Sequence, residues 1–148
     1  MKSSTYHTRT EEETIALGRR LAPELRGAVL LIGNLGAGKT TLTKGIVAGQ
    51  SRVPVNEVSS PTFTLIHQYG EDPVIYHIDL YRLDAPREVE TLGLDELFQS
   101  GALVLLEWAE RFPALMPAER TEIRLRALED DSREIIVKQV NTSRASGV

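Results

Sequence analysis

The residues most suited to chemistry form a glycine-rich segment at positions 33–41, with the sequence GNLGAGKTT. Its first eight residues match the pattern G-x-x-x-x-G-K-[ST] at every fixed position. Glycines let backbone N–H groups approach phosphate oxygens, and a following helix directs its positive end at them. The lysine, Lys39, should reach the β- and γ-phosphates, the Thr40 hydroxyl should ligate Mg²⁺, and Thr41 can reach the α-phosphate. The pattern predicts a site for a nucleoside triphosphate with Mg²⁺.

The elements on either side of this loop support that interpretation. Ala28–Ile32 is a continuous apolar run, which is typical of a strand buried on both faces of a parallel sheet. From Lys39 to about position 49 the spacing of Leu42, Ile46 and Val47 predicts a helix with one buried face. A strand, a glycine loop and a helix in this order are the setting that the motif requires.

Two carboxylates are candidates for the metal and for catalysis. Glu107 ends the apolar run at positions 103–106, and Asp79 lies in a second predicted strand, at positions 74–81. Near one Mg²⁺, one acid could hold the metal or its water while the other orients the attacking water. The alternative for either acid is a structural ion pair with an arginine.

Three further residues have two interpretations each. Thr62, in the segment Ser-Pro-Thr-Phe-Thr, stands where phosphate-binding switches keep a sensing threonine, although a turn before a strand is the alternative. His77 could be a base, but a packed, hydrogen-bonded histidine is favoured. Trp108, the sole tryptophan, could anchor the core or an interface, and either role places it near the nucleotide.

The remaining patterns predict an α/β fold of three layers, like that of P-loop NTPases. A helix should begin at Thr10, the strands at 63–69 and 74–81 should form a hairpin, and two strands should follow between Ile123 and Val140. The central sheet is expected to be mixed and mainly parallel, extended by antiparallel strands. Residues 1–140 are interpreted as a single domain and residues 141–148 as a flexible tail.

Bulk properties narrow the class of protein. The chain has 148 residues, no cysteine and a net charge of −4, which excludes a disulfide scaffold and argues weakly against non-specific binding of nucleic acid. No apolar run approaches the roughly 20 residues that span a bilayer. We therefore expect a cytoplasmic protein without membrane attachment.

Taken together, the motifs resemble those of the TsaE (YjeE) family, the bacterial ATPases of the tRNA threonylcarbamoyladenosine pathway. The resemblance rests on the glycine loop, Ser60-Pro61-Thr62-Phe63-Thr64, the HIDLYR segment at 77–82, the GLDE segment at 93–96 and Glu107-Trp108, in this order. It covers about residues 10–140. It implies ATP hydrolysis that is weak in the isolated protein and functions within a complex with TsaB and TsaD. These partners are expected to transfer threonylcarbamoyl to the adenosine beside the anticodon. The protein would therefore contact tRNA through the complex.

The resemblance also assigns roles to single residues. It implies Mg²⁺ ligation by Thr40 and Glu107, assistance of hydrolysis by Asp79, and a switch-like segment around Thr62. The implied nucleotide contacts are Thr10, Leu35, Gly36, Ala37, Gly38, Lys39, Thr40, Thr41 and Arg133. One departure is visible: Asn34 stands where the family usually has aspartate, at a position where the loop pattern allows any residue.

Three other functions remain as alternatives. A GTPase would need a base-reading Asn-Lys-x-Asp motif, which the sequence lacks. A small-molecule kinase would usually carry an arginine-rich lid, and the region from 84 to 99 holds only Arg87. A non-catalytic module that binds ATP to control docking of a partner is the third alternative.

Overall fold

A single mixed sheet forms the centre of the fold in the computed structural model, which describes residues 3–34, 36–59, 65–71 and 74–141. Within these residues the sheet has seven strands, in the spatial order β1-β7-β6-β2-β5-β4-β3. In chain order the strands are β1 Ser3–Thr8, β2 Ala28–Ile32, β3 Ile66–Tyr69, β4 Ile75–Asp79, β5 Leu103–Glu107, β6 Glu119–Ala127 and β7 Arg133–Asn141. Asn141, predicted as the first residue of the tail, is the last residue of β7. Leu35, Thr62 and the rest of the predicted tail, 142–148, lie outside the described residues, so the predictions made for them stay predictions.

The direction of the strands agrees with the predicted fold class. The four central strands, β6, β2, β5 and β4, run parallel to one another. On one side β7 and then β1 continue the sheet in antiparallel fashion, and on the other side β3 pairs antiparallel with β4. The predicted hairpin of β3 and β4 and the mixed, centrally parallel sheet are confirmed.

Helices cover both faces of the sheet and make the fold three-layered. Helices α1 (Glu11–Leu21) and α2 (Lys39–Gln50) share one apolar cluster with Val29 and Leu31 of β2. Helices α3 (Pro86–Glu90) and α4 (Leu94–Gln99) share a second cluster with Leu30 of the same strand. Because successive side chains of a strand point to opposite faces, the apolar run of β2 supplies both cores.

The first helix begins where the sequence predicts. The Thr10 hydroxyl accepts a hydrogen bond from the Glu13 N–H at 3.0 Å, which satisfies one of the free donors of the first turn. The Glu13 carboxylate accepts from the Arg9 N–H at 2.9 Å, one residue before the position that a standard capping box uses. Both bonds fix the entry to α1.

Strand β1 is absent from the sequence prediction. Its six residues, SSTYHT, are mostly exposed, and only Thr8 is buried. The strand lies at the edge of the sheet and pairs with β7 alone, from Ser3 opposite Lys138 to Thr8 opposite Arg133. An edge strand with little apolar burial leaves no alternating pattern in the sequence, which explains the omission.

Helices α1 and α2 approach each other so closely that a glycine is required between them. A Cβ added to Gly45 would lie 2.1 Å from the carbonyl oxygen of Ile15 on α1, and one added to Gly18 would lie 2.6 Å from the carbonyl oxygen of Leu42. This contact joins the middle of α1 to the helix that follows the glycine loop.

We therefore expect Gly45→Ala to lower the free energy of unfolding by about 1–3 kcal/mol. The added methyl group would overlap the backbone of Ile15 on α1, which cannot rotate away as a flexible side chain can. In thermal unfolding the midpoint should fall by roughly 5 °C. Lys44→Ala, one position earlier on a half-buried part of α2, is the control and should change stability by less than about 0.5 kcal/mol. A Gly45→Ala protein as stable as the wild type would contradict the close approach.

No helix within the described residues is long and apolar enough to cross a membrane.

Candidate functional site

An open cavity of about 520 Å³ lies at the carboxyl end of the parallel strands, where the glycine loop joins β2 to α2. In open α/β sheets ligands bind at this edge. The lining residues come from α1 and its approach, the loop and α2, the ends of β4 and β5, and the β6–β7 turn. They are Arg9, Thr10, Glu11, Thr14, Gly36, Gly38, Lys39, Thr40, Thr41, Asp79, Tyr81, Glu107, Trp108, Asp131 and Arg133.

The glycine loop supplies most of the predicted phosphate contacts to this cavity. Gly38 precedes α2 with φ of 107°, a left-handed conformation that glycine adopts without steric cost. Its position places the first turn of α2, with Thr40 and Thr41, against the cavity. Ala37 is buried, and its N–H donates to the Asn34 carbonyl oxygen at 3.1 Å, so this amide is used inside the loop.

Lys39 is a buried cation at the centre of the cavity. Its side chain is 5% exposed, and Nζ lies 3.9 Å from Glu107 Oε1 and 3.9 Å from the centroid of the Trp108 ring. Nζ has no hydrogen-bond partner within the described part of the chain. Burial lowers the pKa of Lys39 below its usual value of 10.5, and the charges of Glu107, Glu110 and Asp79 oppose that shift. An anion in the cavity would satisfy this ammonium.

The two predicted carboxylates meet at the ends of neighbouring strands. Asp79 of β4 stands opposite Glu107 of β5 in the parallel register, and both are buried. The Tyr81 N–H donates to Asp79 Oδ1 at 2.8 Å. The Leu80 N–H donates to the Glu107 carbonyl oxygen at 3.0 Å and continues the strand pairing beyond β4. Two acids and one lysine thus share a single edge of the sheet.

His77 is buried and hydrogen-bonded, as the favoured interpretation of the sequence has it. Its ring is fully buried, and Nε2 lies 2.6 Å from Glu107 Oε2. The other oxygen of that carboxylate, Oε1, faces Lys39. His77 is not among the residues that line the cavity. Its hydrogen bond with Glu107 connects it to the site.

Trp108 covers the site because the chain turns sharply after β5. Its backbone has φ of 65°, a left-handed conformation that costs about 1–3 kcal/mol for a non-glycine residue. The Trp108 ring lies above Lys39 Nζ and contacts the Tyr81 ring, with 5.1 Å between the ring centroids. Tyr81 is 45% exposed and is the exposed large hydrophobic residue of the described chain. The two rings form one wall of the cavity.

Arg111 connects the two loops that carry Tyr81 and Trp108. Its guanidinium donates to the Tyr81 carbonyl oxygen at 2.9 Å and to the Leu83 carbonyl oxygen. Arg111 therefore fixes the segment after β4 to the turn after β5. Sequence reasoning missed Arg111, because no local pattern connects it to residues about 30 positions earlier.

The opposite wall contains the two predicted contacts that lie outside the loop motif. Thr10 lines the cavity as the cap of α1. Arg133 Nη2 donates to the Gly36 carbonyl oxygen at 3.4 Å, and Nη1 donates to the carbonyl oxygen of Asp131 at 2.8 Å. Asp131 itself has φ of 66° in the β6–β7 turn.

Several lining residues were not predicted from the sequence: Arg9, Glu11, Thr14, Tyr81 and Asp131. Tyr81 belongs to the HIDLYR segment at 77–82, but no role was predicted for it. No motif marks the others, since their place depends on how α1 and the β6–β7 turn meet the loop. The nucleotide contact that the family resemblance implies for Thr10 was the indication that this end of α1 faces a site.

Comparison with known proteins gives one family. The model of the family described as "Threonylcarbamoyl adenosine biosynthesis protein TsaE" matches residues 8–135 of the chain. The protein of that pathway from Bacillus subtilis strain 168, called TsaE, is 41% identical over 138 residues, which cover 91% of this chain and 85% of that protein. The TsaE protein of Haemophilus influenzae is 35% identical over 150 residues, with 95% and 93% coverage.

A solved structure agrees with these matches. The crystal structure of YdiB from Bacillus subtilis is similar to the present fold with a TM-score of 0.76 and 34% sequence identity. The similarity covers 98% of this chain and 90% of that chain.

Proposed function

The chain belongs to the TsaE family of tRNA threonylcarbamoyladenosine biosynthesis, and we propose that it serves this pathway by binding and hydrolysing Mg-ATP. The observation that carries the proposal is the meeting of Lys39 with Asp79 and Glu107 in one cavity at the start of α2. Transfer of a phosphoryl group to water needs a cation that binds the phosphates, an acid that holds the metal and an acid that orients the water. Lys39 and the two carboxylates are groups of these kinds.

Phosphate binding is supported by the charge and hydrogen-bonding state of the loop. The first turn of α2 offers free N–H groups and the positive end of the helix dipole. The Lys39 ammonium, buried and without a hydrogen-bond partner in the described residues, would gain phosphate oxygens as acceptors. We assign the triphosphate to Gly36, Gly38, Lys39, Thr40 and Thr41, which line the cavity, together with Leu35, which lies outside the described residues. Ala37, predicted with them, is buried, its N–H is bonded within the loop, and it does not line the cavity.

The oxygen donors beside Lys39 fit Mg²⁺. This ion prefers oxygen ligands and usually takes one or two carboxylates together with substrate phosphates and water. Thr40 and Glu107 would hold it, with Asp79 alongside. No group of three or more His, Cys, Asp or Glu residues that could hold a metal occurs in the described chain. Bound there, Mg²⁺ would neutralise charge on the β- and γ-phosphates.

The protein's own groups have distinct tasks in hydrolysis. Lys39 would offset negative charge on the phosphates, and its Nζ lies over the ring of Trp108, which also lines the cavity. Asp79, whose Oδ1 is fixed by the Tyr81 N–H, would accept a hydrogen bond from the attacking water and orient it. Trp108 and Tyr81 would exclude bulk water from one side.

The nucleoside would lie toward the wall of Thr10 and Arg133, which flank the loop. The lack of a base-reading motif of the GTPase type favours adenine. Thr62 is proposed as a switch residue from its sequence setting alone.

We propose that TsaB and TsaD are its partners and that it contacts tRNA indirectly, through them. The net charge of −4 offers no broadly basic surface for tRNA, so a partner should carry that contact. In this arrangement hydrolysis by the chain alone is slow and supports repeated turnover of threonylcarbamoyl transfer by the partners.

Release of γ-phosphate from labelled ATP tests the proposal. We expect slow release by the chain alone and at least about tenfold faster release when TsaB, TsaD and tRNA are added. Label recovered on a small molecule instead of inorganic phosphate would indicate a kinase. Binding of ATP without release under any of these conditions would indicate a docking module.

The single tryptophan allows nucleotide binding to be followed directly. Because Lys39 Nζ lies 3.9 Å from the Trp108 ring centroid, a phosphate that draws the ammonium away should change Trp108 fluorescence. Titration with Mg-ATP should give a saturable change, and Lys39→Met should abolish most of it. A flat signal in the wild type, with binding shown by calorimetry, would mean that the lysine keeps its place on the ring.

A further inference from the structure

The buried contact between His77 and Glu107 is not explained by the needs of the fold. His77 lies on β4 opposite Leu105, and its face of the sheet carries the apolar cluster that includes Ile75 and Leu105. Burying a polar ring in such surroundings is unfavourable unless it is hydrogen-bonded, and an apolar residue of similar volume is often at least as stable there. The presence of His77 is therefore better explained by its hydrogen bond with Glu107 than by packing in the core.

The geometry shows what it does to that partner. A carboxylate accepts hydrogen bonds and cannot donate them, so the His77 Nε2–H donates to Glu107 Oε2 at 2.6 Å. His77 Nδ1 has no hydrogen-bond partner within the described residues, which agrees with a neutral ring that carries its proton on Nε2. The bond fixes one oxygen of a side chain that has three rotatable torsions and turns the other oxygen, Oε1, toward Lys39.

We propose that His77 is a positioning residue that holds the Glu107 carboxylate in the orientation required to ligate Mg²⁺ beside the phosphates. The inference rests on the proposed function of the cavity. His77 does not line the cavity, so it acts through Glu107 and does not touch the nucleotide. Hydrogen bonds to metal-ligating groups typically change metal affinity or activity by 10–100-fold when they are removed.

The register of β4 and β5 makes this arrangement possible. Asp79 stands opposite Glu107, and His77, two residues earlier on the same face of β4, stands opposite Leu105. The ring of His77 therefore reaches Glu107, which lies two residues beyond Leu105 on β5, and Asp79 is the register partner of Glu107. One strand thus provides both the second acid of the site and the donor that fixes the first.

Two variants separate positioning from packing. His77→Leu removes the donor and keeps apolar volume, and His77→Gln keeps an N–H donor near the position of Nε2. For His77→Leu we expect phosphate release in the presence of the partners to fall about 10–100-fold and the half-saturating Mg²⁺ concentration to rise about tenfold. ATP affinity measured by calorimetry without Mg²⁺ should stay within about threefold. His77→Gln should recover most of the loss.

A double-variant cycle ties the effect to Glu107. In a Glu107→Gln background, His77→Leu should cause no further loss, because the group that it orients is already gone. An unchanged Mg²⁺ requirement in His77→Leu would overturn the inference. Equal loss in both His77 variants, with a lowered unfolding temperature in each, would also overturn it and leave a packing role.

A readout that needs no activity separates this inference from the proposed function. The chain has three histidines, so imidazole ¹⁵N NMR of the ligand-free protein can resolve them. His77 should show a protonated Nε2 and a bare Nδ1, with an Nε2 proton signal that moves in Glu107→Gln. A signal indifferent to Glu107 would overturn the inference, whereas a wild type that releases no phosphate with its partners would overturn the proposed function while this bond is still observed.

Discussion

Lys39→Met should lower the affinity for Mg-ATP by about 100-fold or more, because loss of a charge-assisted contact with phosphate costs about 3 kcal/mol. Methionine is an unbranched side chain of similar length, and it lacks the ammonium that lies over the Trp108 ring. Calorimetric titration of ATP with Mg²⁺ measures the effect. Lys44→Ala, which removes a lysine of the same helix away from the cavity, should leave the affinity within about twofold.

The same variant should change how stability depends on pH. Burial lowers the pKa of Lys39 below 10.5 in the folded chain, so between the lowered value and 10.5 the unfolded chain holds the proton that the folded chain has lost. Stability contributed by this group therefore rises with pH through that window and is lowest below it. Lys39→Met should remove that rise and be no less stable than the wild type near neutral pH.

Unchanged ATP affinity in Lys39→Met would contradict the proposal that the glycine loop and Lys39 bind phosphate.

Glu107→Gln should reduce Mg²⁺-dependent phosphate release by about 10²–10³-fold while ATP still binds without Mg²⁺. The amide keeps the shape of the side chain but removes the charge that attracts the metal, and losing one such electrostatic group in an active site costs about 3–4 kcal/mol. Phosphate release and Mg²⁺-dependence of ATP affinity should be measured together. Affinity without Mg²⁺ should stay near the wild-type value.

Glu110→Gln is the matched control for this prediction. Glu110 also acts on Lys39 by its charge, but it lies beyond the end of β5 and does not line the cavity. Its replacement should change phosphate release by less than about threefold. Wild-type rates in Glu107→Gln would move the metal role to Asp79, and equal losses in both variants would show that only the local charge matters.

The loop and its flanking elements were predictable because their signals are local. The residues that make a phosphate loop are consecutive, and the apolar runs of β2 and β5 mark buried parallel strands whatever surrounds them. The same runs end at the loop and at Glu107, so the shared edge of the sheet follows from the rule for parallel strands. Asp79 could be named because its strand ends at the same edge.

Other features depend on tertiary contacts that no short segment records. Strand β1 is polar and exposed, and its only signal is its pairing with β7. The bond between His77 and Glu107 joins residues 30 positions apart and depends on the register of β4 and β5. Trp108 takes a left-handed conformation that its side chain disfavours, and its contacts with Lys39 and Tyr81 fix it there. These three features give the site its shape.

Mg-ATP hydrolysis at Lys39 and Glu107 is proposed to support modification of tRNA. The most direct measurement is the amount of threonylcarbamoyladenosine in tRNA, by mass spectrometry of nucleosides, from cells in which the gene is deleted and then supplied with each variant. We predict that the wild type and Lys44→Ala restore the modified nucleoside, and that Lys39→Met and Glu107→Gln do not. Full restoration by Lys39→Met, expressed at the wild-type level, would contradict the claim.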